Sequence, residues 1–159
     1  MFVVFLDIDG VLVTWRAMAT RQQLGLPRPS EAFDEEAVAA FNKFIERTGA
    51  LVVISSAWRY RETKESMQEI LSRNGVRCKV VGLTGIRLDG IRGLEIRDWL
   101  QKHKGVTDYV VIDDDASDIV DHIPAEKFIH VEAGLMSGGL TEEHLRVRSS
   151  MVEQLAVNQ

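Results

Sequence analysis

Three short apolar runs, each followed directly by polar residues, constrain the fold of this 159-residue chain more than any other feature. The runs are Phe2–Leu6, Leu51–Ile54 and Tyr109–Ile112, and segments with helical apolar spacing lie between them. Consecutive apolar positions are typical of strands that are buried on both faces. Such strands, alternating with helices, predict an α/β fold with a parallel sheet covered by helices on either side. The length predicts one domain over residues 1–159.

Capping residues indicate where some helices begin and end. Asp34 is expected to cap a helix that extends to about Arg47, and Gly49 is expected to end it. The stretch before this helix, about residues 12–33, is predicted to be a loop. The other predicted elements are helices at about 61–73 and 93–102, a helical turn at 115–121, a helix from Thr141, and strands at 79–81 and 128–131.

The charge and composition of the chain limit its partners. A net charge of −5 argues against a general nucleic-acid coat. However, residues 58–104 carry a net charge of +5 and residues 105–159 a net charge of −8, which allows a basic face. No apolar run approaches the ~20 residues of a membrane span, so no membrane partner is expected. The single cysteine, Cys78, cannot form an internal disulfide, and a cytoplasmic location is expected.

The residues that follow the predicted strands are the candidates for chemistry. In parallel sheets, sites form at the carboxyl ends of the strands, near the point where the strand order reverses. Polar side chains from separate strands are therefore expected to converge at one edge of the sheet. These candidates are Asp7, Asp9 and Gly10 after the first run, Ser55 and Ser56 after the second, and Asp113, Asp114 and Asp115 after the third.

A group of carboxylates at one edge of the sheet predicts a bound divalent cation. Buried carboxylates repel one another and raise one another's pKa values, and a cation removes this conflict. An all-oxygen ligand set favours Mg²⁺ or Ca²⁺ over zinc. A calcium-binding EF-hand loop that started at Asp7 would need Gly and Glu where this chain has Leu12 and Met18. We therefore expect magnesium.

With a cation present, two neighbouring carboxylates can catalyse phosphoryl transfer. One carboxylate attacks phosphorus and forms an aspartyl-phosphate. The other protonates the leaving alcohol and then activates water. In an extended chain, Asp7 and Asp9 would point to opposite faces, so the backbone must leave the strand there, and Gly10 permits this bend.

These motifs resemble those of the haloacid dehalogenase (HAD) phosphatase superfamily over roughly residues 2–131. The stretch Asp7-Ile8-Asp9-Gly10-Val11 resembles motif I, Ser55 resembles motif II, and Asp113-Asp114 resembles motif IV. The resemblance implies a three-layer Rossmann-like sheet of about five strands in the order 3-2-1-4-5. It also implies that Asp7 is the nucleophile and Asp9 the general acid/base.

The resemblance also implies the remaining roles. Asp7, the backbone carbonyl of Asp9, Asp113 and Asp114 would hold Mg²⁺. Ser55 would bind the phosphoryl group, or Ser56 would do so instead, since the doublet leaves the register open. Gly10 would let the backbone approach the substrate. The family's basic motif III, usually Lys, is represented by Arg92, with Arg87 as the second candidate.

A narrower resemblance concerns substrate class. The run Ser55-Ser56-Ala57-Trp58-Arg59 resembles small HAD domains found in or near RNA-repair proteins, and the runs 92–100 and 139–144 strengthen this resemblance. Polynucleotide 3′-phosphatase domains likewise carry a Ser followed closely by Arg. Arg59 is therefore a candidate for a second phosphate contact, with a surface arginine at a helix start as the alternative. Trp58 either stacks on a base or packs in the core.

The segment 12–33 forms at most a short flap, so no cap domain is expected and the site should be open. An open site suits a phosphorylated partner such as an RNA or DNA end. Two other classes stay open: a phosphate-accepting signalling domain of the receiver type and a non-catalytic nucleic-acid-binding module. The sequence leaves the physiological substrate, the oligomeric state and a cooperating kinase or ligase undetermined.

Overall fold

A five-stranded parallel sheet forms the centre of the molecule, with the strand order β3-β2-β1-β4-β5. The structure is a computed structural model that describes residues 1–26, 32–133 and 138–146. The predicted α/β class and strand order are confirmed. The strands are β1 (Phe2–Leu6), β2 (Leu51–Ile54), β3 (Val80–Leu83), β4 (Asp108–Asp113) and β5 (Phe128–His130); the helices are α1 (Trp15–Gln23), α2 (Glu35–Thr48), α3 (Lys64–Arg73) and α4 (Arg92–Lys102).

Alternate side chains of β1 enter the two halves of the core. Val4 and Leu6 pack in a cluster with α2 and α3, whereas Val3 and Phe5 pack in a second cluster with α4. These four of the five β1 side chains are fully buried. A strand between two helical layers must be apolar at every position, which explains the unbroken run in the sequence.

The α2 helix is fixed at both ends, as the sequence predicted. The Asp34 side chain accepts hydrogen bonds from the backbone N–H groups of Glu36 and Ala37, and Gly49 ends the helix in the left-handed region at φ 62°. The same carboxylate accepts bonds from the Thr14 hydroxyl and the Arg16 guanidinium. Arg16 therefore ties the segment after β1 to the start of α2.

The prediction of a continuous loop over 12–33 was wrong, because α1 occupies residues 15–23. Thr14 caps this helix by accepting a hydrogen bond from the backbone N–H of Ala17. No residue of α1 is buried, so it has no apolar stripe for periodicity to detect. Helix-forming Ala, Met, Arg and Gln residues and the Thr14 cap stabilise it instead.

Several boundaries also differ from the predicted ones. Helix α3 begins at Lys64, because Thr63 and Ser66 form a capping box, and a separate 3-10 turn covers Ala57–Tyr60. Residues 117–122 form hydrogen-bonded turns without a regular helix. The last helical residues described are 142–146. In the described ranges no helix combines the length and apolar character needed to cross a bilayer.

Candidate active site

The chain turns sharply directly after β1, and this turn begins the candidate site. The backbone N–H groups of Leu12 and Val13 both donate to the Ile8 carbonyl at 2.9 Å. Gly10 has φ 76°, and a Cβ atom there would lie 2.3 Å from Asp114 Oδ2. A side chain at this position would therefore meet both backbone strain and a carboxylate. Gly10 thus gives the backbone its close approach to the acidic residues after β4.

The sheet register brings the predicted polar residues together. Leu6 pairs with Ile54 on one side and with Ile112 on the other, so the residues that follow these three lie next to one another. They are Ser55, Asp7 and Asp113. The sequence predicted that these residues meet at one edge of the sheet. In the structure they lie at the ends of adjacent strands, at the centre of that edge.

Asp7, Asp113 and Asp114 form an acidic cluster, in which one carboxylate oxygen from each lies within 4.8 Å of the others. Burial and the neighbouring Asp113 carboxylate raise the pKa of Asp7 to about 8. Burial also raises the pKa values of Asp113 and Asp114. An oxygen-only, mutually repelling set of this kind fits a hard divalent cation, which would favour the ionised carboxylates.

Arg92 supplies positive charge to the acidic cluster from the first residue of α4. Its Nη1 lies 2.6 Å from Asp113 Oδ2 and 3.5 Å from Asp7 Oδ1. Arg87, the second candidate, instead pairs with Asp89 and Asp98 at 2.9 and 2.8 Å. Of these two arginines, therefore, Arg92 is the one that lies beside the acidic cluster, and its role as the basic-motif residue stays a prediction.

The two serines after β2 have different surroundings, although both are fully buried. Burial raises the pKa of Asp7, and a hydrogen bond with the Ser56 side chain opposes this increase. The Ser55 hydroxyl has no hydrogen-bond partner among the described residues. Ser56 therefore lies against the predicted nucleophile, whereas Ser55 lies in the same layer without a polar contact. Their roles toward a phosphoryl group stay predictions.

Arg59 is buried beneath the site, so it is not the exposed helix-start arginine considered as the alternative. Its Nη1 donates to the backbone carbonyls of Ser55 and Ser56 at 2.7 and 2.8 Å. Its Nη2 forms a buried ion pair with Glu95 of α4. The guanidinium thus joins the segment after β2 to α4. Its contact with a substrate phosphate stays a prediction.

Trp58 contacts a candidate catalytic residue directly. Its indole Nε1–H donates to Asp9 Oδ2 at 2.8 Å. The tryptophan is buried, with 7% of its surface exposed, and its ring packs edge-on against Phe33 with centroids 6.1 Å apart. Asp9 itself is exposed. The predicted core packing of Trp58 is therefore combined with a polar contact that the sequence did not indicate.

Two further residues support the site. The backbone N–H of Asp115 donates to Asp113 Oδ1 at 2.9 Å, so both oxygens of Asp113 have partners. His130 Nε2 lies 2.9 Å from the Asp114 carbonyl. These contacts hold the segment after β4 against the end of β5.

Glu95 is the buried charge that sequence reasoning missed. It lies on the face of α4 that also carries Arg92, Ile96 and Trp99, at spacings of three, four and seven residues from Arg92. An acidic residue within such an apolar stripe requires a buried partner. That signal was available, but Arg59 could not be recognised as the partner without the tertiary structure.

The sheet topology and the acidic residues at its carboxyl edge define a HAD-type phosphatase. The chain belongs to the family described as the HAD domain in Swiss Army Knife RNA repair proteins, whose model matches residues 3–145. The predicted superfamily and enzyme class are thereby confirmed.

Two solved structures resemble the chain at low sequence identity. A haloacid dehalogenase-like family hydrolase from Streptococcus pneumoniae is 13% identical, with a TM-score of 0.51, and the alignment covers 94% of this chain and 97% of that one. A predicted phosphatase from Clostridium acetobutylicum is 12% identical, with a TM-score of 0.43 and coverage of 98% and 97%. The similarity to the structure from Streptococcus pneumoniae supports the α/β fold described above. No curated protein matches the chain.

Proposed function

We propose that this protein is a Mg²⁺-dependent phosphomonoesterase that forms an aspartyl-phosphate on Asp7 and acts on phosphorylated nucleic-acid ends. The observation that carries the proposal is the acidic cluster beside Arg92. Three carboxylates within 4.8 Å and a guanidinium 2.6 Å from one of them form a site suited to a cation and a phosphoryl group.

Asp7 is the proposed nucleophile, and it must be ionised to attack. Because burial and Asp113 raise its pKa to about 8, the carboxylate needs positive charge nearby at neutral pH. Arg92 provides part of that charge. Asp7, Asp113, Asp114 and the Asp9 carbonyl would hold Mg²⁺, which when bound neutralises charge on the phosphoryl oxygens.

In the first step, an oxygen of Asp7 bonds to phosphorus, and the bond from phosphorus to the leaving oxygen breaks. The Asp9 carboxyl donates its proton to that oxygen, so that a neutral alcohol departs. In this proposal, Arg92 and the Ser56 hydroxyl stabilise the phosphoryl oxygens with donated hydrogen bonds.

In the second step, water attacks the phosphorus of the aspartyl-phosphate. Asp9, now a carboxylate, accepts a proton from this water, and the bond between phosphorus and the Asp7 oxygen breaks. Inorganic phosphate leaves, and both aspartates return to their starting states. The same carboxyl group therefore transfers a proton in each direction during one turnover.

The proposed substrate class is supported by the openness of the site and by the family. Between β1 and α2, the described ranges contain only the nine-residue α1, and Asp9 is exposed. An exposed general acid/base suits a substrate whose phosphate lies at the end of a large polynucleotide. The matching family is described as a HAD domain in RNA repair proteins, which favours nucleic-acid ends as substrates.

The experiment is a hydrolysis panel with Mg²⁺ or with EDTA. It includes 3′- and 5′-phosphorylated RNA and DNA, nucleotides, sugar phosphates and phosphopeptides. Asp7→Asn should lower turnover at least about 10³-fold, because it removes the nucleophile. Asp108→Asn is the matched control, since Asp108 begins β4, at the opposite end of the strand from Asp113. Turnover by Asp7→Asn equal to that of the control would contradict the proposal.

The covalent intermediate has its own test. With p-nitrophenyl phosphate, whose good leaving group needs little help from a general acid, Asp9→Asn should slow the second step more than the first, so that phosphate accumulates on the Asp7 peptide and is detected by mass spectrometry after an acid quench. Long-lived phosphorylation of the unchanged protein by acetyl phosphate, without hydrolysis, would indicate a receiver-type domain instead. Equal binding of phosphorylated and unphosphorylated oligonucleotides without hydrolysis would indicate a binding module.

A further inference from the structure

A polar contact outside the acidic cluster joins a buried indole to an exposed carboxylate. Trp58 Nε1 lies 2.8 Å from Asp9 Oδ2, across 49 residues of sequence. We propose that Trp58 is a positioning residue that holds Asp9 for proton transfer and determines which of its oxygens carries the proton. This inference rests on the proposed function, in which Asp9 is the general acid/base.

The position of Trp58 is fixed by the structure around it. It lies in the 3-10 turn Ala57–Tyr60, which Ser56 caps by accepting a bond from the Trp58 backbone N–H. The indole belongs to the core cluster that also contains α2, and Phe33 packs edge-on against it. A ring held in this way cannot follow a moving partner, so the partner is restrained to the ring.

Asp9, by contrast, has little support from its own surroundings. It is exposed, and its carboxylate accepts a hydrogen bond from the Trp58 indole. An exposed carboxylate without such a bond would sample several rotamers. Proton transfer requires the donor atom within hydrogen-bond reach of the leaving oxygen, and small misplacements are costly to the rate.

The chemistry of the indole also distinguishes the two oxygens of Asp9. An indole N–H donates a hydrogen bond and never accepts one. Oδ2 is therefore held as an acceptor, and the proton that Asp9 transfers is directed to Oδ1. The same oxygen then serves the leaving alcohol in the first step and water in the second. A phenylalanine would fill much of the space but could not make this distinction.

The test compares substrates whose leaving groups differ in their need for a proton. An alkyl phosphate releases a poor leaving group and depends on the general acid, whereas p-nitrophenyl phosphate releases a good one. Trp58→Phe should lower kcat for the alkyl ester about 10- to 100-fold and for the aryl ester less than about threefold. Trp99→Phe is the matched control, because Trp99 is also a buried tryptophan but lies in the other core cluster.

A uniform loss for both esters in Trp58→Phe would overturn the inference, because it would indicate a purely structural role. Equal activity of Trp58→Phe and the wild type on both esters would overturn it as well. Inactivity of the wild type on every ester would refute the proposed function, and with it the positioning role of Trp58. The failure of the Trp58 inference and the failure of the proposed function therefore give different results.

A second measurement tests the contact without any turnover. The chain has three tryptophans, so its nitrogen–proton NMR spectrum should show three indole signals. Trp58→Phe identifies the Trp58 signal by its loss. In Asp9→Ala that signal should move upfield, while the Trp99 signal should stay. An unmoved Trp58 signal would show that the hydrogen bond does not form, and would overturn the inference.

Discussion

The acidic cluster and the Arg59–Glu95 pair both bury charge at the carboxyl edge of the sheet, but they balance it differently. In the acidic cluster, three carboxylates share one guanidinium, that of Arg92, and burial raises the pKa of each carboxyl group. In the pair, one carboxylate meets one guanidinium, and two backbone carbonyls accept the remaining Nη1 bonds. The first arrangement is suited to gain a cation. In the second, each charge has a partner of opposite sign, although Arg59 Nε has no hydrogen-bond partner among the described residues.

The difference separates the parts of the site that react from the parts that hold it together. Glu95 lies one turn after Arg92 in α4, and Arg59 lies in the 3-10 turn that follows the serine doublet. The pair therefore joins the serine doublet to the helix that supplies the guanidinium of the acidic cluster. The one-to-one charge pair stabilises the segments around the site. The acidic cluster has more carboxylates than cations and so keeps the capacity to bind a positively charged ligand.

The largest expected effect comes from breaking the buried pair. Glu95→Ala leaves the Arg59 guanidinium buried without a carboxylate, which should lower the free energy of unfolding by about 3–5 kcal/mol in urea denaturation. Asp98→Ala is the control, because its pair with Arg87 is 36–42% exposed and should contribute less than about 1 kcal/mol.

The double variant Arg59→Met with Glu95→Leu removes both charges and should be less destabilised than Glu95→Ala alone. It remains informative even where the single variant fails to fold. Equal stability of Glu95→Ala and Asp98→Ala would contradict the difference drawn between buried and exposed charge pairs.

The second-largest expected effect is a loss of catalytic activity when Arg92 is replaced. Arg92→Ala should lower kcat/KM about 10²-fold, because it removes the guanidinium beside Asp7 and Asp113. Arg87→Ala should remain within about threefold of the wild type, since Arg87 pairs with Asp89 and Asp98. The reverse ranking of the two variants in steady-state kinetics would show that Arg87 supplies the basic motif.

The smallest effect is the pH dependence of stability in metal-free protein. Burial and Asp113 raise the pKa of Asp7 from 3.8 to about 8, so the folded chain keeps a proton that the unfolded chain releases over this range. The stability from this group is therefore present below about pH 4 and is lost as pH rises toward 8. With EDTA, Tm should fall by a few degrees between about pH 7 and 8, where this group loses about 1 kcal/mol of stability.

Asp7→Asn should reduce this decrease in Tm, and saturating Mg²⁺ should oppose it in the wild type by favouring the ionised carboxylates. Asp108→Asn should behave as the wild type. An equal decrease in EDTA for Asp7→Asn and the wild type would show that Asp7 does not titrate over this range.

Much of the fold could be predicted because its signals are local. The unbroken apolar run of β1 reflects burial on both faces, and Asp34 and Gly49 mark the ends of α2. Helix α1 could not be predicted from periodicity, because it buries no residue. The predicted start of α3, about Arg61, lies three residues too early, because the capping box of Thr63 and Ser66 begins the helix at Lys64.

The sequence by itself determined the chemistry available at the carboxyl edge of the sheet: Asp7 and Asp9 after one strand, a serine doublet after another, and Asp113 and Asp114 after a third. It could do so because parallel strands deliver their following residues to the same edge. The tertiary structure alone decided the partners. It paired Arg92 with Asp113, Arg59 with Glu95 and Trp58 with Asp9, since contacts across 21 to 49 residues of sequence depend on how the helices pack.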